Sequence, residues 1–275
     1  MKSLCIIGAG KVGQVLGRQF ALHAVFDIGQ ILNRSLASAQ QAAGFIGAGQ
    51  PVAGWGNLRK ADVYMLAVAD DQIIACCEAL QQRRLLDPHS VVFHCSGSKA
   101  STALTAAIDA GAAVASLHPV RSFADIGAVS AGFAGTICSV EGDGRALAVL
   151  LPVLESIRAQ VVQISADSKL LYHAGSVFAS NYLVSLMDIA LQAYVAAGIP
   201  PETARAMAAP LAQQTLDNVF RLGTEQALTG PIARGDMLTV EMQLHKVAEW
   251  DAGAGELYRS FIPATVNLAA RKNKR

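Results

Sequence analysis

Leu4-Cys5-Ile6-Ile7-Gly8-Ala9-Gly10-Lys11-Val12-Gly13 is the stretch that decides the fold of this chain. A short apolar run opens into three glycines spaced G-x-G-x-x-G. Val12, Leu16 and Phe20 follow at i, i+4 and i+8, one face of a helix. Gly8 allows a tight turn, Gly10 lets backbone approach a pyrophosphate, and Gly13 lets helix and strand pack closely. The amides of Ala9, Lys11 and Val12 fall at the start of that helix, where unpaired N–H groups and a positive dipole end favour phosphate. The order strand, glycines, helix predicts a dinucleotide site. A purely structural strand-to-helix turn is the alternative reading.

Working outward, the 275 residues are 52% hydrophobic and 16% charged, enough for a large core in one or two domains. A net charge of +1 predicts no general affinity for nucleic acid or for a membrane surface. Met1-Lys2 leads straight into the first strand, so no signal peptide is expected. No uncharged apolar run is expected to approach the ~20 residues that span a bilayer. The five cysteines, Cys5, Cys76, Cys77, Cys95 and Cys138, lack metal-ligand spacing and read as buried thiols of a reducing cytoplasm; no metal is expected. Arg271-Lys272-Asn273-Lys274-Arg275 reads as the solvated end of a last helix, with a basic docking tail as the alternative.

β-like runs at 4–7, 30–32, 63–68, 91–95, 113–117, 136–140 and 161–164 alternate with helical stretches at 12–23, 36–43, 72–82, 100–110 and 145–157. That alternation predicts an α/β, Rossmann-type, mostly parallel sheet over residues 1–165. Beyond it the periodicity is helical: 170–197, 202–222, 239–249 and 256–270. Residues 166–275 therefore form an all-helical C-terminal domain for substrate binding and dimerisation.

A carboxylate at the end of the second strand marks an NAD site, because it grips the ribose 2′-hydroxyl and repels a 2′-phosphate. Here that place holds Asn33-Arg34-Ser35. Arg34 can pair with a 2′-phosphate and stack on adenine, and Asn33 and Ser35 can donate to the same oxygens. The competing acid, Asp27, precedes the apolar run and reads as a loop residue. NADP(H) is the expected cofactor.

Ligands of such sheets lie outside the carboxyl ends of the strands. Val68-Ala69-Asp70 ends one strand, and Asp70 can line the cofactor site or cap the next helix. Ser96 and Gly97, in His94-Cys95-Ser96-Gly97-Ser98-Lys99, follow the next and would border the nicotinamide. A serine-hydrolase elbow would need Gly at 94, where His stands, and Cys95 reads as a buried thiol rather than a nucleophile. His118-Pro119 ends the sixth strand, and an imidazole there suits proton transfer alongside a hydride. His173 and Asn181 lie eight residues, roughly 80°, apart on what reads as one helix. Thr229, Arg234 and Asp236 form a polar loop in which Arg234 could clamp a substrate carboxylate, or fix a helix–helix turn with Asp236.

Those blocks, with 116–123, Tyr172-His173-Ala174, 178–181 and 228–236, resemble a bacterial family joining a Rossmann-like NADP-binding domain to an uncharacterised helical C-terminal domain. The resemblance runs from residue 1 to about 265 and implies NADP-dependent oxidoreductase activity. More distantly the chain is similar to the 6-phosphogluconate dehydrogenase-like group, which includes ketopantoate reductases, pyrroline-carboxylate reductases and prephenate dehydrogenases. The serine loop before a catalytic His-Pro pair in prephenate dehydrogenases matches Ser96 or Ser98 and His118. The Lys-x-x-x-Asn of hydroxyacid dehydrogenases matches only at Asn181, because Val177 stands at the lysine position. The resemblance also implies a homodimer through the helical domain. The expected function is hydride transfer between NADP(H) and a small carbonyl or 2-keto/hydroxy acid, ketopantoate for example, with C=N the lesser option. A non-catalytic NADP-binding sensor is the rival.

Overall fold

The computed structural model of the protein describes residues 1–272, so Asn273, Lys274 and Arg275 of the basic end lie outside the described residues. The chain divides into two compact units, Met1–Ser180 and residue 181 onward. The boundary expected at 165 falls inside the first unit.

In the first unit the chain runs β1 (Ser3–Ile7), α1 (Lys11–Leu22), β2 (Asp27–Leu32), α2 (Leu36–Ile46), β3 (Gln50–Val52) and β4 (Val63–Leu66). It continues through α3 (Ile73–Gln82), β5 (Val91–His94), α4 (Thr105–Asp109), β6 (Ala113–Pro119), α5 (Ile126–Ala131), β7 (Ile137–Gly142), α6 (Gly144–Ser156), β8 (Gln160–Gln163) and α7 (Lys169–Ala179). The sheet order is β3-β2-β1-β4-β5-β6-β7-β8. Pairs are parallel as far as β6, β7 runs antiparallel to β6, and β8 is parallel to β7. The sheet is thus a mostly parallel Rossmann-type sheet with a reversed edge.

The strand pattern follows from burial on both faces. Leu4 and Ile6 join one core layer with Phe20, Met65 and Phe93, while Cys5 and Ile7 join the other with Tyr64, Leu66 and Leu80. Successive side chains of a strand point to opposite faces, so a strand covered on both sides reads as a continuous apolar run. Each such Leu or Ile contributes about 1.5–3 kcal/mol over its exposed state. β3 and α5 were not expected from the sequence, because a three-residue strand and a one-turn helix carry too few positions to show a period.

Asp27 is the first residue of β2, paired with Ser3, not a loop residue. Its carboxylate therefore sits at the amino end of that strand, away from where a ribose would lie. All five thiols are free. Burial pushes Cys5, Cys95 and Cys138 up to about 12 and Cys77 up to about 11, and raises Cys76 as well.

The expected single helix over 170–197 is two. α7 ends at Ser180, whose φ of −125° and ψ of −72° leave the helical region, and α8 (Asn181–Ala196) starts the second unit. This corrects the placement of His173 and Asn181 on one helix: no 80° relation holds between them. A second expectation also changes. The stretch Ala166–Ala196 is long and apolar enough, by length and composition, to cross a membrane. The backbone break at Ser180 divides it, and Lys169 near its start is buried and bonded to the serine loop after β5.

The second unit is helical: α8, α9 (Pro201–Leu222), α10 (Thr224–Ala227), α11 (Met237–Trp250) and α12 (Ala252–Lys272). It carries an open apolar groove of about 480 Å³ lined by residues such as Leu186, Val247, Trp250, Leu257 and Phe261.

Candidate functional site

The glycine turn is built around contacts that exclude a side chain. Gly8 has φ +80°, and a Cβ there would lie within 3 Å of the Val68 amide. Glycine alone meets both demands without strain. At Gly13 a Cβ would meet the Gly8 carbonyl at 2.9 Å, whereas at Gly10 nothing lies within 4 Å. Gly10 is the N-cap of α1 and supplies no side-chain cap, so the first amides of the helix face that open space without side-chain partners. This is the arrangement that receives a pyrophosphate. Ala9 is tied differently: its N–H donates to Asn33 Oδ1 at 2.6 Å and its carbonyl accepts from Gln14. Lys11 Nζ donates to the Ala124 carbonyl, and Val12 is partly buried against the core.

The group after β2 divides its work. Asn33 spends its amide on structure, accepting from Ala9 and donating to the Ser38 carbonyl at 3.0 Å. Ser35 is the N-cap of α2, accepting from Ser38 N–H. Arg34 is exposed and makes no ion pair or hydrogen bond among the described residues.

Next along the same sheet edge come the carboxyl ends of β4, β5 and β6. Asp70 is not the cap of α3; Gln72 stands there without a side-chain cap bond. Instead Asp70 Oδ2 accepts from Ser96 Oγ at 2.8 Å and Ser98 Oγ at 2.6 Å. Burial raises its carboxyl and the hydroxyls of Ser98 and Ser96 more than offset that, so it sits below its ordinary value. Ser96 Oγ in turn accepts from the amides of Ser98 and Lys99. Underneath, His94 is fully buried, with Nε2 on the Ala100 carbonyl and Nδ1 accepting from Ser96 N–H. Burial pushes it down to about 4, so it is a neutral brace for the loop.

Lys169 was not assigned a role from the sequence, and it fixes the same loop from α7. The residue is 1% exposed, and its ammonium donates to the Ser96 carbonyl at 2.9 Å and to Ser116 Oγ. Burial lowers its pKa, opposed by the carboxylates of Glu141 and Asp70. Glu141 is itself buried and accepts from Ser101.

His118 and His173 meet over Gly97. A Cβ on Gly97 would fall inside contact distance of His173 Nδ1 and 2.9 Å from His118 Nε2, so both ring nitrogens pack against Gly97 and leave no room for a side chain there. The rings are edge-to-face, centroids 5.6 Å apart. His118 Nδ1 is 2.9 Å from the Tyr172 hydroxyl. Burial, then His173 and Lys169, push His118 down to about 4. His173 Nδ1 is buried and has no hydrogen-bond partner among the described residues. The structure thus brings together Asp70, Ser96, Gly97, His118 and His173, with Lys169 and Tyr172 added. The signal for these two was the i, i+3, i+4 spacing of Lys169, Tyr172 and His173 on α7.

Asn181, Thr229, Arg234 and Asp236 belong to the second unit. Asn181, Thr229 and Arg234 are exposed. Asp236 is the N-cap of α11, accepting from Thr239 N–H and Oγ1. Side-chain and backbone hydrogen bonds from Thr239 hold its carboxyl below the ordinary value. No group of three or more metal-ligating side chains occurs among the described residues.

Two family models match the chain, and the second begins inside the first compact unit. Residues 1–119 match the family described as Rossmann-like domain, and residues 136–265 match a domain of unknown function, DUF2520. No curated protein matches. Among solved structures, a protein of Thermotoga maritima is 25% identical, with a TM-score of 0.74 over 99% of this chain and 100% of that one. A candidate NADP oxidoreductase of Bacteroides fragilis is 17% identical, TM-score 0.78, over 97% and 98% of the two chains. A Plasmodium falciparum pyrroline carboxylate reductase with NADP bound is 10% identical, TM-score 0.61, over 98% of each. The chain is thus similar in fold to these proteins, a Rossmann-like domain followed by a DUF2520 region.

Proposed function

We propose that the protein is an NADP(H)-dependent reductase of a small carbonyl compound. The observation that carries this reading is the convergence of His118 and His173 over Gly97, on the sheet edge that begins at the glycine turn. β1, β4, β5 and β6 are consecutive neighbours, so the site lies three strand spacings, roughly 14 Å, along from Gly8. A dinucleotide lying along that edge, with its pyrophosphate at Gly8, Gly10 and Gly13, brings its nicotinamide toward Ser96 and Gly97. When bound, the nicotinamide supplies or accepts the hydride. Val68, Ala69 and Asp70 border it from β4, and His118 handles the proton.

NADP(H) is favoured over NAD(H) by the exposed, unpaired Arg34 and by the lack of a carboxylate after β2. The likeness to an NADP-bound pyrroline carboxylate reductase agrees with this. The same likeness supports a second reading, reduction of a C=N bond. We place the protein in the cytoplasm, where its free thiols stay reduced. We also assign it a homodimeric state through the helical unit, which exposes Leu211, Phe220 and Met242.

Calorimetric titration with NADPH and NADH, followed by a screen of 2-keto acids (ketopantoate included), aldehydes and cyclic imines, tests the proposal. NADPH is expected to bind more tightly, and His118→Ala to abolish turnover while sparing coenzyme binding. Absence of saturable NADPH binding would reject the reading. Tight binding with no turnover of any compound would favour a sensor.

A further inference from the structure

Among the polar groups after β4 and β5, most are spent on the loop itself and one is not. A serine hydroxyl has one proton to give and two lone pairs. Ser96 Oγ gives its proton to Asp70 Oδ2 and accepts from the Ser98 and Lys99 amides at 3.1 and 2.9 Å. Its carbonyl accepts from Lys169 Nζ and Ser116 Oγ. Ser96 is thus fully committed to the shape of the loop. Ser98 Oγ gives its proton to the same carboxylate oxygen at 2.6 Å. Asp70 is the opposite case. Both bonds fall on Oδ2, while Oδ1 accepts none among the described residues and the side chain is exposed. Burial raises its carboxyl and the two hydroxyls outweigh that, so Asp70 is ionised at neutral pH. Lys99 acts on it through space, without an ion pair among the described residues.

The glycine turn fixes where this carboxylate stands. The Val68 amide lies 2.9 Å from the place of a Cβ on Gly8, so the chain leaving β4 packs directly on the turn. Asp70 is two residues further, at most about 7 Å of chain. A fixed anion there repels both the diphosphate and the 2′-phosphate of a dinucleotide. The parts that suit it are the ribose hydroxyls, which donate, and the nicotinamide ring, which is cationic when oxidised. Charge therefore matches Asp70 to the nicotinamide half.

We propose that Asp70 sets the redox preference of coenzyme binding. Its Oδ1 accepts a hydroxyl of the ribose that bears the nicotinamide, and its fixed charge favours the oxidised coenzyme over the reduced one. Ser96 and Ser98 are positioning residues that hold Oδ2 and leave Oδ1 outward. This inference rests on the reductase reading and deepens it. Loss of hydride turns a neutral dihydropyridine ring into a pyridinium, so the ring gains one positive charge while the ribose is unchanged. A carboxylate beside that ribose acts on the two redox forms unequally. A residue that only braces the loop acts on both alike.

Calorimetric dissociation constants for NADP⁺ and NADPH, in wild type, Asp70→Asn, Asp70→Glu and Asp71→Asn, test the proposal without any turnover. Asn keeps the size of the side chain and an oxygen for the serine hydroxyls. In Asp70→Asn, NADP⁺ should weaken more than NADPH. The ratio of the two constants is expected to move on the order of fivefold toward the reduced form, the effect of one charge a few ångström away through water. Asp70→Glu keeps the charge and should hold most of the wild-type ratio. Asp71→Asn removes the same charge one residue along, where the carboxylate accepts from Gln72 and takes no part in the serine loop. Its ratio should stay within about twofold of wild type, since the Coulomb effect falls with distance. A ratio unmoved in Asp70→Asn, with both forms weakened alike or not at all, overturns the inference and leaves the reductase reading standing. So does an equal shift in Asp71→Asn. Should Asp70→Asn misfold, Asp70→Ser, also neutral, takes its place with the same two outcomes. Wild-type protein that binds neither form would reject the reductase reading and this inference together.

Discussion

At the scale of single residues the site depends on what is absent at Gly97 and what is buried at Lys169. Replacing Gly97 by Ala puts a methyl carbon against His173 Nδ1 and the edge of His118. Overpacking of this kind costs about 1–3 kcal/mol. Gly97→Ala is expected to lower kcat at least tenfold while the far-ultraviolet spectrum stays native; unchanged kcat would show that the two rings do not act over Gly97. Lys169→Ala removes the donor to the Ser96 carbonyl and opens a cavity, and about 2–4 kcal/mol of stability should go with it. Lys169→Met fills the volume and should cost less, as buried charges replaced by apolar groups often do. Both variants remove a positive charge that holds His118 down, so the His118 titration should move upward by NMR. A His118 titration unchanged in either variant would show that the ammonium does not act on the imidazole.

Among elements, the helix starts show which sequence signals were legible and which were not. Asp143 caps α6 through Ala146 N–H and also accepts from Val114 N–H at 2.8 Å, joining the helix to β6. Asp143→Ala is expected to cost about 1–2 kcal/mol in urea unfolding and Asp143→Asn less, because the Asn oxygen keeps the cap while its amino group gives up the bond from Val114 N–H. Equal losses in the two would remove the capping account. Strand ends could be read directly: a run of apolar residues stops where the backbone leaves the sheet, and Asp70, Ser96 and His118 all fall just there. The type and place of Asn33 fit a ribose phosphate, whereas its structural bonds, Oδ1 on the Ala9 amide and Nδ2 on the Ser38 carbonyl, carry no signal in the sequence. The break at Ser180 was hidden because no Gly or Pro marks it. Ser and Asn are weak helix formers that favour helix ends, and in Ser180-Asn181 that preference shows only once the two helices are seen. Lys169 and Tyr172 were obscured for a related reason: an apolar helix gives periodicity, not the identity of the sheet residues that its polar members reach.

For the whole molecule, the buried imidazoles set how stability follows acidity. His94 and His118 ordinarily titrate at 6.5 and are both pushed down to about 4 by burial. The unfolded chain therefore binds more protons than the folded one between those values, and stability falls as pH drops through that window. For His94, fully enclosed, the contribution is on the order of 3 kcal/mol, complete above the ordinary value and exhausted below the folded one. Melting temperature is expected to decline steadily from near pH 6.5 toward pH 4, and a flat curve there would mean these rings are solvated. Asp70 adds in the same direction only in stronger acid, because its folded pKa is depressed. The cysteines carry a practical corollary. With every native sulfhydryl held protonated and largely sheltered, maleimide-type reagents should pass them over at neutral pH. One engineered cysteine on an outer helix could then take a fluorophore selectively, reporting on coenzyme uptake without stripping the wild-type sulfur atoms first.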